Sequence, residues 1–436
     1  MIQKQILLAV VSAAVAVGAH AELTTSVEAK QSYDDNIYRI GKKSVDSWIT
    51  QLRPGLNMQV DQEGSKYSLD LNAESGIYSQ SKAGEDNYTD YSARGKGAWQ
   101  LDDRNKFELG LNHVIGHDDR GTSRTDRSPC IPNALRTPPG GAGCTVVAKS
   151  LGTVTGSVAG APNAGPLGAD EPDAWATNGV DAGYTFGTQD GWGELGLKSG
   201  FEQKDYTNNS FNGVIVNNID VSPYGTNALE NSKRYVGLLG KMHVASKTSL
   251  LLEVFNSDYW YKKTVTDRDS TENKYMVGAE MKGDGAFKGS VRYGYVRRDP
   301  DSSTLNLFDT DVWEADLVWA PKSYSTVRFT AFRGVEDGKS APTLVQVESY
   351  GVRWTHKWQK DFWSAIFYDN RAEMYAGIDR DDTWDKWGFS SNYRVNDWVM
   401  LSGEYRYEDR DSTGNTGVGL DYDRNVVTVG AELKFK

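Results

Sequence analysis

The amino-acid sequence predicts an all-β protein, a single transmembrane antiparallel β-barrel of about 18 strands, with about 16 to 18 strands compatible with the pattern. Three observations predict this fold. Apolar and polar residues alternate along most of the chain, the connections are short and long in turn, and Trp and Tyr collect where the apolar stripes end. Period-two alternation is typical of strands with two different faces, and the other two features are typical of barrels that cross a membrane.

The composition is compatible with this fold and argues against several others. The chain has 436 residues, a formal net charge of -11, 38% apolar residues and 11% aromatic residues. The low apolar fraction argues against a helical membrane protein, which needs spans of about 20 apolar residues. The acidic balance argues against a nucleic-acid partner, because nucleic-acid binders present a basic surface. The abundance of aromatic residues argues against disorder.

Residues 1–21 are predicted to be a secretory signal peptide. Lys4 supplies a positive charge, a short apolar run follows, and Ala19-His20-Ala21 has the small-x-small pattern of a cleavage site. The alternative, an N-terminal transmembrane anchor, is less favoured because the apolar run is too short to span a bilayer. The expected mature chain, residues 22–436, forms the barrel.

The alternation is clearest in an early segment. Between Trp48 and Val60 the even positions are mostly apolar and the odd positions mostly polar. The even positions hold Trp48, Thr50, Leu52, Pro54, Leu56, Met58 and Val60, and the odd ones hold Ile49, Gln51, Arg53, Gly55, Asn57 and Gln59. A soluble β-sandwich would alternate in the same way, so the alternation alone does not distinguish it from a barrel.

The connections favour the membrane barrel. The short ones are DQEGS, DDRN, GTQDG, SKT, KGDG, PKS, QKD and VND. The intervening ones cover roughly 34–44, 80–87, 118–173, 204–231, 261–271, 299–309, 335–344, 372–382 and 409–423. Outer-membrane barrels have short periplasmic turns and long extracellular loops, and an even strand number places both termini on the short-turn side.

The strand positions that alternate with the apolar ones are expected to face an aqueous lumen, because a barrel of this size encloses a channel. They carry many charges of both signs. The predicted pore-lining residues are Arg53, Arg94, Lys96, Arg292, Arg328, Arg353, Lys386, Arg406, Glu74, Glu108, Glu253, Glu280, Asp316 and Glu404. Either these groups form structural ion pairs on a hydrated wall, which is favoured for any single residue, or they mark a pathway for a polar or charged polymer.

The longest predicted loop, residues 118–173, holds both cysteines. Cys130 and Cys144 are expected to form a disulfide in an exported protein, and a metal site is less favoured because no further ligands lie nearby. The loop either stays a mobile surface flap or folds inward and constricts the pore, and we favour the second interpretation.

No catalytic or metal site is predicted. His117-Asp118-Asp119 is compatible with a hydrolytic site, but no second acidic cluster completes it, and GxSxG and HExxH motifs are absent from the sequence. TDRDSTEN (266–273) and EDRDSTGNTG (408–417) resemble calcium loops in composition but lack the EF-hand spacing, which favours solvated loops. We therefore expect no enzymatic activity and no cofactor.

Two motifs carry a family resemblance. SYDDNIYR (32–39) and HDDRGTSR (117–124) resemble the putative beta-barrel porin 2 family of Gram-negative outer membranes. The final VVTVGAELKFK resembles the closing strand of such barrels, although Phe435 is penultimate. The resemblance implies a multi-pass barrel in the outer membrane that serves exopolysaccharide or capsule production. The family has no established catalytic residues to transfer.

Three functions are compatible with these features. The leading one is a conduit for polysaccharide export, partnered by a periplasmic and inner-membrane synthesis and export system. The second is a general or sugar-selective diffusion porin for uptake, and the third is a structural or adhesive surface barrel. Outer-membrane lipid is an expected partner in all three, and the oligomeric state stays open.

Overall fold

The computed structural model describes most of the chain. The described residues are 21–41, 44–80, 86–119, 121–122, 146–147, 154–155, 172–188, 191–208, 215–216, 219–220, 226–261, 268–283, 286–302, 307–338, 343–414 and 420–435. Cys130, Cys144 and most of the predicted 118–173 loop lie outside this set, as does nearly all of the predicted signal peptide.

Eighteen long strands form one sheet. They are β1 (Ala21–Asp34), β2 (Ser47–Gln62), β3 (Ser65–Tyr78), β4 (Tyr88–Gln100), β5 (Asn105–Asp118), β6 (Asp173–Gly187), β7 (Gly193–Tyr206), β8 (Asn231–Ala245), β9 (Thr248–Tyr261), β10 (Ser270–Met281), β11 (Phe287–Pro300), β12 (Phe308–Lys322), β13 (Ser325–Asp337), β14 (Leu344–Gln359), β15 (Phe362–Tyr375), β16 (Asp381–Arg394), β17 (Val399–Thr413) and β18 (Tyr422–Phe435). Two short ribbons pair Val146–Val147 with Val154–Thr155 and Ile215–Val216 with Ile219–Asp220.

The sheet closes on itself. Each strand pairs antiparallel with the next one along the chain, and β1 pairs with β18 from Thr25 opposite Phe435 to Asp34 opposite Val426. Closure gives every strand two neighbours, so no edge is left with unpaired backbone groups. The predicted all-β antiparallel barrel of 18 strands is therefore confirmed.

The two ends of the barrel differ in their connections, as predicted. At one end the turns are 63–64, 101–104, 188–192, 246–247, 282–286, 323–324, 360–361 and 395–398. At the other end the connections are 35–46, 79–87, 119–172, 207–230, 262–269, 301–307, 338–343, 376–380 and 414–421. Short periplasmic turns and longer extracellular loops orient the barrel in the outer membrane.

The outer face of the wall is apolar and its margins are aromatic. Val291 is 44% exposed at the middle of the β11 stripe that runs from Phe287 to Tyr295. Aromatic rings contact each other near both ends of the strands, as membrane interfaces favour. These pairs are Trp99 with Phe107 (5.5 Å between ring centroids), Phe287 with Trp319 (6.1 Å), Tyr33 with Trp48 (5.2 Å) and Trp387 with Tyr407 (5.6 Å).

The wall continues above the lipid on the extracellular side. The long strands have 12 to 16 residues, whereas a tilted membrane-spanning strand needs about 9–11. On the outer face of this extension Arg333 lies 3.3 Å from both Asp311 and Glu348. Polar outward residues are tolerated here because water, not lipid, surrounds them.

The extension of the strands above the lipid shows that the prediction of two solvated acidic loops was partly wrong. Residues 408–413 of EDRDSTGNTG belong to β17, and residues 270–273 of TDRDSTEN belong to β10, so these parts are not solvated loops. Arg268 and Arg410 are buried. The acidic composition of both segments suggested loops, but strand pairing and ion pairs to neighbouring strands accommodate them inside the wall.

The barrel has small apolar clusters inside its extracellular mouth instead of one central core. Ile37, Tyr38 and Val45 form the first cluster and pack against the lower-lying Ile49 and Tyr78. Two others are formed by Met276, Val296 and Val312, and by Val345, Val347 and Tyr375. The first cluster is formed by the 35–46 connection, and Gly121 and Thr122 of the 119–172 connection line one cavity with Val345 and Val347 of the last cluster. Within the described residues no helix is long and apolar enough to cross a membrane.

The assignment of residues to the lipid face and the lumen face predicts how charged substitutions affect stability. Val291→Arg should lower the free energy of unfolding by about 2–4 kcal/mol, because it places a charge on the lipid face near mid-depth. Urea titration of the barrel refolded in lipid vesicles measures this. The adjacent inward-facing Ser290→Arg is the control and should cost much less; equal losses for the two variants would contradict the assigned faces.

Candidate functional site in the barrel lumen

The predicted pore-lining residues lie on the face opposite the exposed apolar stripe, and most of them are ion-paired with each other. Arg292, for example, lies between the outward Val291 and Tyr293. The pairs are Arg53 with Glu74 (2.7 Å), Arg292 with Glu253 (2.8 Å), Lys96 with Glu108 (3.1 Å), Arg328 with Asp316, and Arg406 with Glu404 (3.8 Å).

The remaining predicted residues have other surroundings. Glu280 contacts Lys241 at 2.5 Å, Lys386 lies 3.6 Å from Glu408, and Arg353 lies over the ring of Phe367. Arg94 is exposed, with Asp70 opposite it on β3. The paired state of most of these charges agrees with the structural interpretation of the wall, and their role in conduction stays a prediction.

The first of the two sequence motifs forms a turn that folds into the lumen. Asp34, at the end of β1, accepts a hydrogen bond from Arg424 at 3.1 Å. The Asp35 carboxylate accepts hydrogen bonds from the backbone N–H (2.7 Å) and the side chain (2.8 Å) of Asn425. Asn36 closes the turn, since its side chain accepts from the N–H of Ile40 and donates to the carbonyl of Ile40. We call residues 34–41 the inward turn.

The tip of the inward turn is buried. Tyr38 is only 1% exposed, and its hydroxyl donates a hydrogen bond to Asp86 at 3.1 Å. Arg39 adopts a left-handed backbone conformation with φ of 51°, which is uncommon for a residue other than glycine. This conformation reverses the chain at a point where Arg39 has a fixed partner.

That partner belongs to the second motif. Arg39 donates to the Asp119 carboxylate at 2.9 Å, and His117 lies 3.0 Å from Asp119 through Nε2 and 3.0 Å from Asp90 through Nδ1. The ring of Tyr88 stacks on His117. Burial alone would raise the pKa of Asp119, but the Arg39 guanidinium and the His117 ring hold that pKa well below its usual range.

A glycine brings the two motifs into backbone contact. Gly121 has φ of 82°, and a Cβ at this position would collide with the carbonyl oxygen of Tyr38. Only glycine satisfies both the conformation and the close approach. The described residues 119, 121 and 122, which begin the long connection after β5, are called the crossing segment below.

The crossing segment shares a cavity with the opposite wall. Gly121 and Thr122 line a cavity of about 280 Å³ together with Val345 and Val347 of β14 and Glu336 of β13. In an 18-stranded ring, β14 lies nine strands from β5, which is the far side. Gly121 and Thr122 therefore lie inside the extracellular end of the barrel, and the inward folding of the whole 118–173 loop stays a prediction.

A larger cavity lies beside the inward turn. Its volume is about 580 Å³, and Ile37 and Arg39 of the inward turn face it. Wall residues from strands β1 to β5 and β16 to β18 complete it. Those used below are Arg53, Ser390, Asn392, Ser402, Glu404, Arg406 and Arg424. The lining is mainly polar, so the cavity suits a hydrated solute.

Sequence reasoning missed several buried charge clusters at the extracellular end. Each joins one or two arginines to a carboxylate from a different strand or connection. They are Arg298 and Arg268 with Asp337, Arg380 and Arg410 with Asp382, and Arg424 with Asp34 and Glu408. Parity predicts which of these residues face inward, but the pairing depends on strand register and on the loops.

The described residues contain no group of three or more His, Cys, Asp or Glu side chains placed to hold a metal ion. His117 and Asp119 were considered above as a hydrolytic pair. In the structure His117 contacts Asp90, and Asp119 contacts Arg39. Their geometry fits a structural lock between two connections.

Comparison with known proteins identifies a family. The family described as "Putative beta-barrel porin 2" matches residues 17–163 and 240–435 of the chain. No curated protein matches the sequence.

Three of the solved structures that this chain resembles are from Acinetobacter baumannii and Pseudomonas aeruginosa. OccAB2 of Acinetobacter baumannii is 13% identical, with 95% of this chain and 98% of that chain covered and a TM-score of 0.45. OccK2 (OpdF) of Pseudomonas aeruginosa is 11% identical, with 95% and 98% covered and a TM-score of 0.48. The siderophore receptor PirA of Acinetobacter baumannii is 8% identical, with 96% and 81% covered and a TM-score of 0.46.

The contact between Gly121 and Tyr38 predicts a conductance change. Gly121→Ala should release the crossing segment and raise single-channel conductance in planar bilayers, because the added methyl group cannot fit against the Tyr38 carbonyl. Gly377→Ala is the matched control, since Gly377 also has a positive φ (70°) but nothing within 4 Å of its Cβ position. Equal conductance of Gly121→Ala and wild type would show that the contact between Gly121 and Tyr38 does not hold the crossing segment in place.

The contacts of Asp119 with Arg39 and His117 should also persist in mild acid. The lowered pKa of Asp119 means that its contacts are fully present above the ordinary carboxyl pKa of about 3.9 and are lost only as pH falls through the lowered value. Wild-type conductance should therefore be the same at pH 7 and pH 5. Arg39→Ala should weaken docking by about 1.5–3 kcal/mol and make openings about tenfold more frequent or more. Conductance steps at pH 5 in the wild type would contradict this assignment.

Proposed function

Because the chain belongs to the putative beta-barrel porin 2 family, it is a β-barrel porin of the Gram-negative outer membrane, and we propose that it is a passive diffusion channel for small polar solutes. The observation that carries the proposal is the crossing segment. Its residues lie inside the extracellular end of the barrel, line one cavity with the β13–β14 wall, and are held by Arg39, His117 and Tyr38.

The dimensions of the remaining space support small solutes. The cavity beside the inward turn, of about 580 Å³, falls within the range of about 300–1,000 Å³ that is usual for small-molecule sites. A polymer would need a continuous opening through the mouth. The Arg39–Asp119 pair and the close approach of Gly121 to Tyr38 hold parts of two connections inside that mouth, where they reduce the space for a polymer.

The chemistry of the wall supports a hydrated solute. Charges of both signs face the lumen and most of them pair across neighbouring strands, as Arg53 does with Glu74 and Arg292 with Glu253. A paired, polar surface keeps water in the channel without attracting one ion strongly. Apolar solutes would find little surface to bind there.

The polysaccharide-export interpretation receives no support from the comparisons, and neither does a partnership with a synthesis and export system. Membership of a porin family favours transport over catalysis, and the lack of enzymatic activity stays a prediction. Diffusion through the barrel is the simpler account of a lumen whose mouth holds parts of two connections.

Liposome swelling tests the proposal. Proteoliposomes should swell in monosaccharides, more slowly in disaccharides and not measurably in longer oligosaccharides, because the crossing segment sets the size limit. Gly121→Ala should move the limit to larger sugars. Permeation of long oligosaccharides through the wild type at the monosaccharide rate would contradict the proposal.

A deletion strain separates uptake from export. If the barrel is a diffusion channel, its loss should slow growth on a low concentration of a small carbon source and leave surface polysaccharide unchanged. Loss of surface polysaccharide, restored by the wild-type gene, would favour export instead.

A further inference from the structure

Arg406 differs from the other lumen arginines of the large cavity. Its nearest carboxylate oxygen belongs to Glu404 at 3.8 Å, whereas Arg53 lies 2.7 Å from Glu74. The Nε atoms of Arg406, Arg53 and Arg424 are all buried without a hydrogen-bond partner, so the longer distance to a carboxylate is what sets Arg406 apart. The side chain as a whole is 30% exposed, so its guanidinium still reaches the cavity. An arginine in this state has unused hydrogen-bond donors next to an open space.

The neighbouring carboxylates are already used by other groups. Glu408, one inward position above Arg406 on β17, lies 3.3 Å from Arg424 and 3.6 Å from Lys386. It also accepts a hydrogen bond from the Tyr422 hydroxyl at 2.7 Å. Arg424 contacts Asp34 as well. Arg406 therefore lies below a cluster whose negative charge is shared among other cations.

Uncharged polar side chains lie below Arg406 on the same wall, beside and beyond Glu404, whereas Gly388 and Val426 are directly opposite Arg406. Ser390 on β16 is opposite Glu404, and Asn392 on β16 is opposite Ser402 on β17. All of them line the large cavity. In the part of the chain that the structure describes, the side chains of Ser390, Asn392 and Ser402 make no hydrogen bond. They offer donors and acceptors to a solute within the reach of Arg406.

From this arrangement we infer that Arg406, with Ser390, Asn392 and Ser402, binds small hydroxylated carboxylates, such as sugar acids, in the lumen. The guanidinium fork of Arg406 pairs with the carboxylate, because planar bidentate contacts suit that group. The hydroxyl and amide groups below it receive the solute hydroxyls. Glu404, beside them, accepts a hydrogen bond from a solute hydroxyl and disfavours a second negative charge on the solute.

The inference rests on the proposed diffusion of small solutes and adds a solute class to it. A neutral sugar can use the serine and asparagine side chains but leaves Arg406 unpaired. A sugar acid can use the serine and asparagine side chains and also pair with Arg406, so the channel should retain it longer than the matching neutral sugar. This selectivity is independent of the size limit set by the crossing segment.

D-galacturonate and D-galactose form the test pair, since they differ only in the carboxylate. Added to wild-type channels in planar bilayers, galacturonate should interrupt the ion current at a lower concentration than galactose. Arg406→Gln should raise the half-blocking concentration of galacturonate about tenfold or more and leave galactose unchanged, because a hydrogen bond to a charged group is lost. Arg406→Lys should recover part of the effect, since it keeps the charge but not the fork.

The control is Arg234→Gln. Arg234 pairs with Asp258 and is exposed on the outer face of β8, outside the lumen, so this variant should behave as wild type. If Arg406→Gln does not fold into a heat-modifiable barrel, Asn392→Ala and Ser402→Ala provide the test and should each weaken galacturonate block. Equal block by galacturonate and galactose in the wild type would overturn the inference.

The two proposals fail in different ways. If neither sugar enters wild-type proteoliposomes, the diffusion channel itself is wrong. If both enter at the same rate and Arg406→Gln changes neither, the diffusion channel stands and the carboxylate site is wrong. Block of the wild type that Arg406→Gln leaves intact would likewise overturn the role of Arg406.

Discussion

The constraint on which the rest of the structure depends is the hydrogen bonding of the backbone in lipid. An unpaired N–H or C=O group at bilayer depth costs several kcal/mol, so a strand-based protein must close its sheet. The pairing of β1 with β18 satisfies this requirement. Closure then separates the side chains into two sets, because alternate residues point to lipid and to the lumen. The apolar fraction of 38% is low since only one of these sets meets lipid, and the loops meet water.

The lumen is organised by a second requirement, that charges in confined places have partners. In the middle of the wall, cross-strand neighbours such as Arg292 and Glu253 provide them. At the extracellular end the wall rises above the lipid, and the connections fold inward over it. There, arginines are buried and paired with carboxylates of distant segments. The Arg39–Asp119 pair also lies at this end and links two connections inside the mouth.

Much of the fold follows from local sequence and little of the site does. Alternation around Trp48–Val60 and the short turns identify the strands and the inner face, including Arg53 and Arg406. The motifs SYDDNIYR and HDDRGTSR were recognisable, but nothing in either one shows that Gly121 meets Tyr38. The segment EDRDSTGNTG was misjudged because its composition suits a loop, whereas β17 continues through it to Thr413. Local composition does not report whether a partner strand is present.

The sequence by itself determined the barrel, its orientation and the parity of its wall, because these depend on the solvent that each residue meets and on the lengths of neighbouring connections. Tertiary structure alone decided which charges pair, which arginine stays under-paired and where the two motifs meet. These properties depend on register and on contacts between residues that are far apart in the chain, such as Asp34 with Arg424. A period-two pattern assigns each residue to a face, but only the closed barrel places it opposite a particular neighbour.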